Sequence, residues 1–157
     1  MLSRIRSPAR LGQAPRGFTL LEIAVALALV AILAAVAMPA YFDSIRKSRR
    51  SEAFAAMAQL QQAQERRRAN EPAYTTALAA LLPSATTPNG YYTLAIDSAD
   101  ASGYVATATA ASSQDKDTLC HVLRLRVAGG NISYGSACKG CSFTAPLTDP
   151  NRCWNRQ

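Results

Sequence analysis

The stretch Arg16-Gly17-Phe18-Thr19-Leu20-Leu21-Glu22 puts a carboxylate near the start of an otherwise apolar run. From Ile23 to Met38 no charged residue follows it. An ionised group is costly inside a membrane segment, so Glu22 sits where it demands a partner. On the other side, residues 1–17 carry Arg4, Arg6, Arg10 and Arg16 and no acid. A basic leader followed by an apolar segment is the plan of an export signal, and Ala35-Val36-Ala37 offers a cleavage site of the ordinary secretory kind. That alternative fits poorly, because a secretory apolar region is short and uncharged. Here the run lasts about twenty residues, enough to cross roughly 30 Å of hydrocarbon as a helix. A retained anchor is the better reading.

The totals set the frame. At 157 residues and 49% hydrophobic content, the chain has room for one globular unit with a core and is not a disordered polymer. Net charge is +7, but without the four leader arginines thirteen basic side chains face ten acidic ones, leaving +3. The high isoelectric point therefore says little about nucleic acid.

Arg16 to Glu22, followed by an apolar helix, resembles the class III signal of type IV prepilins and the related pseudopilins. In that family a membrane-embedded prepilin peptidase cuts after the glycine and methylates the new N-terminus. The resemblance implies cleavage between Gly17 and Phe18, a methylated Phe18, and a mature chain of residues 18–157. It also implies a partner for Glu22. A new amine at Phe18 is a positive charge at membrane depth, and a carboxylate one turn along can compensate it within the chain or on a neighbouring subunit. The first turn further suits Glu22 to the positive end of the helix dipole.

Beyond Pro39, which removes one backbone donor and is expected to kink or loosen the helix, residues 41–69 are rich in Ala, Gln, Glu and Arg. Phe42, Ile45, Ala53, Met57 and Leu60 recur near helical spacing. A helix from Phe18 to about Ala69 would run about 52 residues, or roughly 78 Å. Residues 71–90 carry turn formers around a short apolar patch, Ala77 to Leu82, and read as a connecting loop with one short helix. From there the period becomes two. Tyr92, Leu94 and Ile96 alternate in a first run, and alanines alternate with Val105, Thr107 and Thr109 in a second. A third has His121, Leu123, Leu125 and Val127 on one face and Cys120, Val122, Arg124 and Arg126 on the other. Gly129-Gly130-Asn131 turns it into Ile132 and Tyr134. The expected fold is α+β: a long N-terminal helix packed on a four-stranded antiparallel sheet, the type IV pilin fold. The divisions are a leader at 1–17, the helix at 18–70 with 18–38 as its membrane or filament-core half, a loop at 71–90, and the sheet with its C-terminal region at 91–157.

Cys120, Cys138, Cys141 and Cys153 all lie in the last 38 residues. An even number in an exported chain reads as a disulfide framework. Cys138-Lys139-Gly140-Cys141 has metal-ligand spacing, but one such pair and one histidine make a poor zinc site. Alternation carried back to Cys120 points it away from the helix, towards the side where the tail would lie. The sequence leaves three connectivities open; the pilin resemblance favours Cys120 with Cys153, stapling the tail over the sheet, and Cys138 with Cys141. A terminal Cys153-Trp154 also resembles PilE-like pilins. His121 reads as a core histidine. No catalytic set, cofactor motif or metal site emerges, and no enzyme is expected.

Three basic groups remain. Arg46, Lys47, Arg49 and Arg50 read as a solvated helix face, and Arg66-Arg67-Arg68 as favourable charge at a helix C-terminus. Arg124, Arg126, Lys139, Arg152 and Arg156 border the cystine region and, if they converge, form a phosphate-tracking stripe. The overall reading is a minor pilin of the PilE-like kind. It partners other pilin subunits, with its N-terminus cytoplasmic in the inner membrane before assembly and its domain in an extracellular filament afterwards. The alternatives are a DNA-binding minor pilin acting in DNA uptake, as some similar pilins do in natural transformation, and a secretion pseudopilin, which the cystine-rich tail disfavours.

Overall fold

The computed structural model describes residues 17–143 together with Cys153 and Trp154. Helix α1 covers Leu20–Arg68 and is followed by four strands, β1 (Tyr92–Ala99), β2 (Gly103–Ala110), β3 (Val122–Ala128) and β4 (Asn131–Ala137). Short 3₁₀ turns lie at Leu78–Ala80 and Ser112–Lys116. The strands pair antiparallel in chain order, so the sheet is a meander. With its long N-terminal helix, the molecule has the α+β fold of a type IV pilin.

The chain divides into two units, Met1–Ala40 and Tyr41–Gln157. In the first, α1 opens on a cap: the Glu22 backbone N–H donates to Thr19 Oγ1 at 3.2 Å, satisfying one of the donors a helix start leaves unpaired. Its apolar side chains are uncovered, Phe18 at 78% and Leu20 at 92% exposure. So much exposed aliphatic surface is stable only in lipid or among neighbouring helices. Pro39 lies inside α1 without ending it. Arg68 ends it, where Asn70 Nδ2 returns to the Arg66 carbonyl and the basic last turn suits the negative helix end.

In the second unit, Ala53, Met57 and Leu60 of α1 are buried at the spacing of one helix face. They share a core with Tyr92 and Leu94 of β1, Tyr104, Ala106 and Ala108 of β2, and Leu123, Leu125 and Val127 of β3. The register is informative: Leu94 opposes Ala108, and Ala108 opposes Leu123. Large residues thus flank a small one across the sheet, which lets the layers interdigitate. Phe42 and Ile45, expected on the packed face, are not core residues; Phe42 is 49% exposed. The core begins a turn or more later, at Ala53.

Turn chemistry fixes the hairpins. Asp100 Oδ1 accepts from the Ser102 and Gly103 backbone N–H groups at 2.6 and 2.9 Å, an Asx turn joining β1 to β2. The Ser102 hydroxyl, which donates to the same oxygen at 2.7 Å, and then these two backbone bonds hold the Asp100 carboxyl below the ordinary aspartate range. Gly129 and Gly130 both have positive φ, +55° and +80°, which only glycine adopts freely in a tight hairpin. A Cβ on Gly103 would lie 2.0 Å from the Val127 carbonyl oxygen, so that position requires glycine for close strand approach.

The structure bridges Cys120 with Cys153 and Cys138 with Cys141. It corrects the expected orientation of Cys120, which is a core residue at 3% exposure. The reason is local: β3 starts at Val122, and Cys120 lies in the bend before it, where strand alternation does not apply. Cys153 and Trp154 lie in the core with Cys120. Trp154 stacks on Phe54 of α1 with ring centroids 5.0 Å apart, meets Tyr134 at 4.7 Å, and donates from Nε1 to the Gly135 carbonyl at 2.8 Å. Trp154 therefore lies on the helix side of the sheet.

Candidate functional site

Two regions carry chemistry. At the N-terminal end, Gly17, Phe18 and Thr19 precede the helix and Glu22 falls in its first turn. Thr19 and Glu22 occupy the two positions of a capping box, a purely structural role that the sequence reading did not separate from charge compensation.

The second region is the sheet face away from the helix. Strand parity sets Arg124 and Arg126 there, two residues apart on β3, opposite Thr107 and Val105 of β2 and Gly135 and Ser133 of β4. Their cross-strand neighbours are thus small or uncharged. Arg126 is exposed; Arg124 is half-buried, its Cζ 3.8 Å from the centroid of the Phe143 ring. This stack desolvates the cation without cancelling its charge. Partial burial pulls the Arg124 guanidinium below the ordinary arginine range; the Arg126 charge acts in the same direction and Asp97 opposes both. Asp97, set at an irregularity of β1, accepts from Thr107 Oγ1 at 3.1 Å.

Of the five cations expected to converge, the described residues include Arg124, Arg126 and Lys139. Lys139 is engaged by Asp115, whose other oxygen meets His121 Nε2 at 2.9 Å. Lys139 and then His121 hold the Asp115 carboxyl below the usual aspartate range. His121 is accordingly a buried histidine with an acidic partner. Arg152 and Arg156 lie outside the described residues.

The helix arginines are also more than a solvated face. Arg50 donates to both carboxylate oxygens of Asp117, 2.7 Å from Nε and 2.9 Å from Nη2, and the side chains are only 12% and 4% exposed. Arg49 donates to Ser113 Oγ and lies over the Tyr91 ring. Behind them the fully buried Gln114 donates from Nε2 to the Arg46 carbonyl, Tyr92 Oη and Asp117 Oδ2. Nothing in the local pattern around Gln114 marks it as a hub, because a glutamine flanked by Ser and Asp reads as a loop residue.

An apolar helix behind a glycine-phenylalanine junction, a capping Thr19 with Glu22, and a cystine-bearing antiparallel meander define a type IV pilin. Residues 13–38 match the prokaryotic N-terminal methylation motif. Residues 39–124, more than half of the chain, match the model described as type IV minor pilin ComP, DNA uptake sequence receptor, and the chain belongs to that family. Similar fimbrial proteins are EcpC of Eikenella corrodens, 50% identical over 44 residues, and a fimbrial protein of Moraxella nonliquefaciens, 51% identical over 41. These matches span 28% and 26% of this chain and 29% and 27% of the relatives.

Proposed function

We propose that this chain is a minor subunit of a type IV pilus. Prepilin peptidase cuts between Gly17 and Phe18 and methylates Phe18. Residues 18–38 hold the subunit across the inner membrane with the N-terminus cytoplasmic, and later pack among the helices of other pilin subunits in an extracellular filament. The observation that carries this is the methylation motif, which runs directly into an apolar helix whose side chains have no cover of their own. Glu22 meets the Phe18 amine of its own or an adjacent subunit during assembly. No catalytic step belongs to the chain.

Intact and N-terminal peptide masses of protein from its native membrane test this. The expected chain starts at methylated Phe18 and is lighter by four protons for two disulfides. A chain starting near Met38 would overturn it. Filaments that form normally with Glu22→Val would remove the role given to Glu22.

A second reading is favoured by the family match and by two arginines, two residues apart on β3, on the sheet face away from α1. The assembled subunit captures double-stranded DNA for uptake, Arg124 and Arg126 contacting backbone phosphates, with Lys139, Arg152 and Arg156 as further candidate contacts. Duplex binding by the full chain that survives Arg124→Gln/Arg126→Gln unchanged would refute that placement.

A further inference from the structure

Between β2 and β3 the turn at Ser112–Lys116 lays Lys116 and Asp117 beside the stretch of α1 that follows the apolar run. A cleft of about 330 Å³ opens there, lined by Asp43, Arg46, Lys47, Arg50, Lys116 and Asp117. Four cations face two carboxylates, and both carboxylates are committed. Asp43 accepts from Arg46 at 2.6 Å, while Asp117 is gripped by Arg50 and Gln114. Lys47 and Lys116 are exposed and have no ion-pair partner among the described residues. An excess of two positive charges therefore lines a concave site. Arg46 and Lys116 also border a second cleft of about 350 Å³, whose walls include Phe42 and Ile45.

A cationic pocket sharing two residues with an apolar-walled one suits an amphiphile with an anionic head. Its place in the chain agrees: Arg46 is eight residues past Met38, the last residue of the apolar run. We propose that this paired cleft binds an anionic phospholipid, its phosphate between Lys47, Lys116 and Arg46 and the start of an acyl chain along Phe42 and Ile45. The lipid seats the domain on the bilayer before the subunit leaves it. Duplex DNA fits less well, because a bare phosphate backbone has no use for the apolar half. This rests on residues 18–38 being a membrane anchor.

The test uses the full chain in phosphatidylcholine nanodiscs with or without phosphatidylglycerol, reading by native mass spectrometry how much of each lipid stays bound on release. Phosphatidylglycerol is expected to be retained preferentially. Each cation near an anionic lipid surface contributes about 1 kcal/mol, so Lys47→Gln/Lys116→Gln should lower retention on the order of thirtyfold. The variant's thermal unfolding should match the wild type, since neither lysine is ion-paired within the described residues. Equal retention of both lipids, or unchanged retention in the variant, by a chain that floats with the bilayer overturns the lipid site alone. A chain that does not float with the bilayer overturns the anchor and the site together. Loss of duplex binding in the variant with lipid retention intact would make the cleft a DNA contact and equally overturn it.

Discussion

Replacing Arg124 and Arg126 by glutamine should change how salt weakens DNA binding more diagnostically than it changes affinity at any one salt concentration. Each phosphate neutralised on duplex DNA releases condensed counterions and adds about −0.9 to the slope of log affinity against log salt. Two guanidiniums on one strand face, each serving one phosphate, contribute about −1.8 together. Across a fourfold rise in salt the wild type should lose roughly twelvefold more affinity than the double variant. Fluorescence anisotropy with labelled duplex and the full chain in neutral detergent, at salt concentrations spanning that range, reads the difference. Arg126→Gln alone should account for about half, because Arg126 is exposed. Lys139→Gln should change the slope less than Arg126→Gln, since Lys139 is already engaged by Asp115. Phe143→Ala should leave the slope intact, because the ring supports Arg124 but carries no charge. A double variant with the wild-type slope would show that this face does not track phosphates.

Stability offers three further checks. Arg50→Ala leaves the buried Asp117 carboxylate without its cation and should cost about 3–5 kcal/mol in unfolding followed by circular dichroism, whereas a loss below about 1 kcal/mol would mean solvent replaces the pair. Cys120→Ser/Cys153→Ser opens a loop with a sequence separation of 33 and should cost about 4 kcal/mol; Cys138→Ser/Cys141→Ser, with a separation of 3, should cost less than half of that, and equal costs would refute the chain-entropy account. Burial pushes the Tyr92 phenol up to about 12 from an ordinary value of 10.0. The unfolded chain then loses that proton first, so stability should hold below pH 10 and fall between about pH 10 and 12; burial raises the Tyr104 phenol as well, so Tyr92→Phe should lessen that fall without abolishing it, with tyrosinate absorbance and denaturant midpoints as the readouts.

What the sequence made legible follows from which features are local. Alternation from Tyr92 to Leu94 and from Leu123 to Val127 reports the core face directly, because successive side chains of a strand point to opposite faces and only one face of these strands packs on the core. Gly129-Gly130 marks the hairpin through its own backbone freedom, and Ala53, Met57 and Leu60 mark the packed face of α1 through helical spacing. The failures sit where a periodic element stops. Cys120 precedes β3, so its orientation is set by the disulfide to Cys153 and by the core, not by parity. The meaning of Arg46 to Arg50 depends on a turn more than sixty residues downstream, whose Ser113, Gln114 and Asp117 hydrogen-bond to that stretch. No window along the chain contains both partners.

The same distinction separates the two candidate functions. Anchoring and assembly are written in a contiguous run, from Gly17 through Glu22 to Met38, because lipid and neighbouring helices read a helix one face at a time. Capture of DNA depends on charges that the sheet brings to one face, and the structure shows that being basic and close in sequence is insufficient. Lys139 is near the other cations in the chain but is taken by Asp115, and Arg50 is held by Asp117 within the fold. Arg124 and Arg126 form no ion pair among the described residues, because their cross-strand neighbours on β2 and β4 are Thr107, Val105, Gly135 and Ser133, and the nearby Asp97 carboxylate, which bonds Thr107, offsets the Arg124 charge only in part. On the DNA-uptake reading, charge left unpaired within the fold, rather than charge count, is what would let this face meet a polyanion.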